Sequence, residues 1–131
     1  MIDCLILGDS IAVGTGMFRK ECTTIAQTGI TSKDYNKKYN KGSFEANTIV
    51  ISLGSNDSEN MQTLKELFAL RQVINAKKVY WILPANKETK RDNVSIVADK
   101  FEDKTVSFTP SKDKVHPTIA EYKKLAETTT K

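Results

Sequence analysis

The sequence contains one histidine, two cysteines, three prolines and one tryptophan. Each scarcity excludes something. Two cysteines beside one histidine lack the spacing of a zinc site. Cys4 and Cys22 therefore read as small buried hydrophobes, too few for a disulfide framework. No metal or other cofactor is expected. No apolar run approaches membrane-spanning length, so no membrane partner is expected. Met1 leads directly into Cys4-Leu5-Ile6-Leu7, without the basic region or small-residue cleavage site of a signal peptide. The expected location is cytoplasmic, or outside the cell by a route other than a cleaved signal. Arginine is confined to Arg19, Arg71 and Arg91, and the net charge of +4 comes from lysines interleaved with Asp and Glu. Nucleic-acid surfaces concentrate their basic residues and favour arginine, so nucleic acid is not an expected partner. Neither G-x-x-x-x-G-K-[ST] nor G-x-G-x-x-G is present, which argues against a nucleotide site. The richness in Lys and Asn is the composition of an AT-rich genome, as in many phages.

The 131 residues are 39% hydrophobic and 27% charged, enough for one core and one domain spanning residues 1–131. Strand-like and helix-like segments alternate, which predicts an α/β fold with a parallel sheet of about five strands and helices on both faces. Strands are predicted at Asp3–Gly8, Thr23–Ala26, Thr48–Leu53, Lys78–Leu83 and Thr105–Phe108. A helix is predicted from Ser10 to about Lys20. Another is capped by Ser32, carries Tyr35 and Tyr39, and is ended by Gly42. A third is capped by Ser58 and carries Leu64, Leu67, Phe68 and Ile74 on one face. A fourth carries Val94, Val97, Ala98 and Phe101. The last begins at Pro117, with Ile119, Tyr122, Leu125 and Ala126 on one face.

In such sheets ligands bind beyond the carboxyl ends of the strands, so the residues just after each strand carry most information. Gly8-Asp9-Ser10 follows the first strand. Alone, Ser10 is most simply a helix cap, but a serine at a sharp strand-to-helix turn also projects its hydroxyl above the sheet. Gly29 follows the second strand. It is an ordinary turn glycine, or a backbone N–H that a substrate oxygen can approach closely. Gly54-Ser55-Asn56-Asp57 follows the third and has turn composition, yet the Asn56 amide is also a donor suited to a developing oxyanion. Near the end of the chain, the only histidine, His116, stands three residues after Asp113, a spacing that lets both face one way on a helical turn. Asp113 would fix the tautomer of His116, and His116 would take and return the Ser10 proton. Together these residues supply a nucleophile, oxyanion donors and an acid/base pair.

The combination resembles the SGNH hydrolase superfamily, the GDSL-type esterases, from Gly8 to Tyr122. Its first block is similar to Gly8-Asp9-Ser10-Ile11 with Gly14 following, its second to Gly29, its third to Gly54–Asp57 and its last to Asp113–His116. The resemblance implies a flavodoxin-like three-layer α/β/α sandwich. It implies a Ser10–His116–Asp113 triad and an oxyanion hole from the N–H groups of Ser10 and Gly29 and the amide of Asn56. Family members are mostly longer, with insertions that shape a pocket. The short loops here predict an open, shallow site, suited to a small acyl group, acetyl-type, on an exposed carrier such as an acylated glycan. That is the activity of an esterase or deacetylase. The alternative is a binding module for a glycan or cell-wall ligand with little or no turnover. Tyr35, Tyr39 and Phe44 are expected to be packing residues rather than an apolar rim.

Overall fold

The computed structural model describes residues 2–85 and 87–130. Five strands, β1 (Cys4–Gly8), β2 (Thr23–Ala26), β3 (Phe44–Ser52), β4 (Ile74–Ile82) and β5 (Lys104–Val106), form one sheet in the order β2-β1-β3-β4-β5. Every pairing is parallel. Five helices connect or follow them: α1 (Ser10–Met17), α2 (Ser32–Tyr39), α3 (Thr63–Gln72), α4 (Glu88–Lys100) and α5 (Ile119–Thr128). This is the expected three-layer, flavodoxin-like sandwich.

Both faces of the sheet are covered, because the central strands are apolar at successive positions rather than at alternate ones. Leu5, Leu7, Ile49, Ile51, Val79 and Trp81 point to one face, where they pack with Leu67 and Leu70 of α3 and Val94 and Val97 of α4. Ile6, Val50, Tyr80 and Ile82 point to the other, against Ile11 and Ala12 of α1 and Leu125 of α5. The chain moves outward from β1 to β2, then returns across β1 to β3. That reversal opens the switch-point crevice at the carboxyl ends of β1 and β3, where Ser10 begins α1.

Several boundaries differ from the sequence reading. β3 and β4 each start four residues earlier than predicted, because the Phe44↔Ile74 and Ala46↔Ala76 pairings extend the ladder. Ile74 is therefore a strand residue and lies outside α3. Thr31 caps α2 in place of Ser32, accepting from the Asp34 N–H, because the Ser32 hydroxyl is taken by Asp57. Ser58 caps nothing, since α3 starts only at Thr63. α5 begins at Ile119 behind a Thr118 cap, so Pro117 lies before it, and Ile119 is solvent-exposed.

The cysteines are a larger correction. Cys4 and Cys22 form a disulfide. The β1–β2 register sets Leu5 opposite Thr23, so the preceding pair stands face to face with Cα atoms 4.8 Å apart, the spacing of neighbouring strands. Count and spacing along the chain do not carry that information.

Candidate functional site

The turn that presents Ser10 is held from both sides. Gly8 has φ +138, and a Cβ there would lie 1.9 Å from the Ser52 carbonyl oxygen. Only glycine allows β1 and β3 to approach this closely. The Asp9 N–H donates to that same carbonyl at 2.9 Å. The Asp9 carboxylate accepts from the Ile11 N–H and from the Ser52 hydroxyl, each at 3.0 Å. Asp9 is thus the cap of α1, and Ser10 is its first residue, whose backbone N–H has no backbone partner among the described residues.

The Ser10 Oγ lies 2.9 Å from His116 Nε2, and His116 Nδ1 lies 2.7 Å from Asp113 Oδ2. An ionised Asp113 requires Nδ1 to donate, which leaves the Nε2 lone pair facing the Ser10 hydroxyl. Asp113 is fully available as an anion. Its Oδ1 accepts from the N–H groups of His116 and Val115, each at 2.8 Å, and from the Ser111 hydroxyl. The His116 backbone N–H, followed by its ring N–H, holds the carboxyl well below the usual range.

Asp113 and His116 do meet, though not on a helical turn. The segment is a loop closed by an antiparallel bridge between Pro110 and Pro117, with the Ser111 N–H donating to the His116 carbonyl at 2.7 Å. Lys114 turns the chain at φ +63, and the Asp113 side chain satisfies the N–H groups that this turn leaves open.

Gly29 and Asn56 lie on the loops that follow β2 and β3, on either side of β1. Gly29 has φ +79, has open space where a Cβ would be, and its N–H has no backbone partner among the described residues. The Gln27 N–H donates to the Gly8 carbonyl, tying this loop to the end of β1. The Asn56 amide donates to the Ile30 carbonyl at 3.0 Å. This joins the two loops, and among the described residues the second amide proton has no partner. Ser10, His116 and Asp113 therefore form one hydrogen-bonded run, and Gly29 and Asn56 form a second pair, linked through Ile30 rather than to Ser10 directly.

Asp57 is a residue whose importance the sequence reading missed. It is buried and accepts from the Ser32 N–H at 2.8 Å, from the Ser32 hydroxyl, and from the Thr63 hydroxyl at 2.7 Å. It clamps the loop carrying Asn56 to the loop carrying Gly29 and to the start of α3. Its signal in the sequence was composition alone, an aspartate in a turn, and nothing local distinguishes a clamp from a turn former. Tyr35 and Phe44 are buried in the core as expected, with the Tyr35 hydroxyl donating to the Ile25 carbonyl. The half-buried Tyr39 donates to the Gln27 side chain.

The site is open: the side chains of His116 and Asp113 are 44% and 50% exposed. Among the described residues one cluster has metal-ligating composition, Cys4, Glu21 and Cys22. Its sulfurs are bonded to each other, at the opposite end of β1 from Ser10.

No family model and no curated protein matches the chain. A solved structure from Bacteroides fragilis, provisionally described as an acylhydrolase, has the same fold: TM-score 0.65 over 96% of this chain and 83% of that chain, at 16% identity.

Proposed function

We propose that this chain is a serine hydrolase of small acyl esters, working as SGNH hydrolases do, with Ser10 as nucleophile. The observation that carries the reading is the run from Ser10 Oγ through His116 to Asp113, at 2.9 and 2.7 Å. A structural neighbour described as an acylhydrolase adds support at the level of fold.

In the first half-reaction Ser10 Oγ attacks the ester carbonyl carbon while its proton passes to His116 Nε2. The carbonyl oxygen becomes an oxyanion, and Asp113 stabilises the imidazolium. The free N–H groups of Ser10 and Gly29 and the second Asn56 amide proton are the donors for that oxyanion. Collapse breaks the bond to the alcohol oxygen, which leaves with the proton from His116, and an acyl-Ser10 ester remains. Water then attacks that ester and gives a proton to His116. The bond to Ser10 breaks, Ser10 recovers the proton, and the carboxylic acid departs.

The open site and the short strand-end loops suit a small acyl group such as acetyl on an accessible carrier. Hydrolysis of 4-nitrophenyl acetate by the wild-type protein and by Ser10→Ala and His116→Ala tests the reading. Both variants are expected to lose turnover by a factor of about 10³ or more while keeping their circular dichroism spectra. A wild-type rate equal to that of Ser10→Ala sinks the proposal and leaves a binding module on the same fold.

A further inference from the structure

Beside Gly29 the surface opens into a groove of about 430 Å³, within the size range of small-ligand sites. Its floor is the 27–30 turn and its wall is α2, through Asp34, Lys37 and Lys38. Gly29 lines it, so the groove adjoins one of the proposed oxyanion donors. Its walls are mixed. The Thr28 hydroxyl, the Asp34 carboxylate and the Gln27 amide nitrogen can meet hydroxyl groups, while Ile30, the lysine stems and the turn backbone give it apolar surface. Mixed walls of this kind suit a sugar-like carrier, which offers both hydroxyls and C–H faces.

The groove is also flanked by lysines. Residues 27–41 hold four of them, Lys33, Lys37, Lys38 and Lys41, against the single acid Asp34, a net +3. The lysines are all exposed. Lys38 is already placed, donating to Gln27 Oε1 at 2.6 Å and lying over the Tyr39 ring. Lys37 makes no ion pair and no side-chain hydrogen bond among the described residues, so its ammonium is available to a ligand.

We propose that this groove seats the alcohol side of the ester and selects carriers that bear a negative charge. A carboxylate-bearing glycan is the class that fits, with Lys37 as the specificity-determining residue. The inference rests on the hydrolase reading above, and its test separates the two.

Acetate release is measured from 4-acetoxybenzoate, which is anionic, and from its neutral methyl ester, and likewise from acetylated polygalacturonate and acetylated xylan. Lys37→Gln is expected to lower the anionic-to-neutral ratio of kcat/KM about fivefold and Lys37→Glu about tenfold, with Lys77→Glu on β4 as the control for net charge. Raising ionic strength from about 20 mM to about 500 mM should lower the ratio for the wild-type protein as screening shortens the reach of the charges. A ratio unmoved by Lys37→Glu, or moved equally by Lys77→Glu, overturns the proposal. If no probe is turned over faster than by Ser10→Ala, the hydrolase reading fails. The groove is then decided by calorimetry of acetylated polygalacturonate with the Ser10→Ala protein. Binding that Lys37→Glu abolishes supports the groove, and absence of binding overturns it.

Discussion

Asp9 shows how much a single residue beside Ser10 carries. It is buried, and its Oδ2 has no hydrogen-bond partner. Burial raises its carboxyl from 3.8 to about 6, against the opposing hydrogen bonds from Ser52 and the N–H groups of Ile11 and Ala12. A carboxyl raised in the folded state favours folding at low pH, where it is protonated in both states without penalty. That advantage is lost as the pH rises from about 4 through about 6. Asp113 is shifted the other way: its contribution is present above its ordinary range and lost as the pH falls below it. Asp9→Asn keeps an acceptor for the Ile11 N–H and removes the titration. The variant is expected to gain stability relative to wild type between pH 4 and 6, by on the order of 3 kcal/mol at most. Urea unfolding at a series of pH values measures this, and parallel pH dependence in the two proteins would refute the assignment.

At the level of elements, the site depends on how α1 and α5 meet. Ser10 begins α1, and His116 stands just before α5. The two helices touch where Gly14 faces the Tyr122 ring, and a Cβ on Gly14 would lie 2.4 Å from the ring carbon Cε1. Burial raises the Tyr122 hydroxyl, and the charges of Asp9 and Asp113 raise it further, so it stays neutral between the two carboxylates. Gly14→Ala must therefore displace the ring or the helix. It is expected to cost about 1–3 kcal/mol from overpacking and, on the proposed hydrolase reading, to lower turnover of 4-nitrophenyl acetate, because His116 stands just before α5. Tyr122→Leu in the Gly14→Ala background should recover part of both. Thermal melts and initial rates on the three proteins check this, and a Gly14→Ala enzyme with wild-type Tm and rate would show that the contact is soft. Gly14 stood out in the sequence only through the family resemblance, because which face of α1 a small residue occupies becomes visible only when α5 lies across it.

Across the whole molecule, the disulfide ties the start of β1 to the residue before the edge strand β2, whose far end leads into Gly29. It closes a loop of sequence separation 18. Reduction, or Cys4→Ala with Cys22→Ala, is expected to lower stability by about 3 kcal/mol through the greater freedom of the unfolded chain. Melting with and without dithiothreitol measures the loss, and identical midpoints would mean that the thiols are free in solution. Disulfides persist in oxidising surroundings, so this bond and a cytoplasmic location pull in opposite directions. No helix among the described residues is long and apolar enough to cross a membrane.

What the sequence determined by itself was local. The apolar runs that end at Gly8 and Ser52 dictate buried parallel strands, since both faces of such strands are covered. Strand ends followed by Gly8-Asp9-Ser10, by Gly29 and by Gly54–Asp57 mark the carboxyl edge of the sheet, where α/β folds place their ligands. A lone histidine three residues after an aspartate could be paired with it because their separation is short. What only the tertiary structure decided depends on strand register and on how distant elements pack. Cys4 faces Cys22 because β1 and β2 pair in one register, and Asp57 becomes a clamp only when the loops after β2 and β3 lie side by side. Asp9 becomes a buried carboxylate with one unpaired oxygen only in the folded chain. Lys37 becomes part of a groove only when α2 packs beside Gly29. Each is a contact between segments whose distance along the chain says nothing about their distance in space, so no local pattern could have announced it.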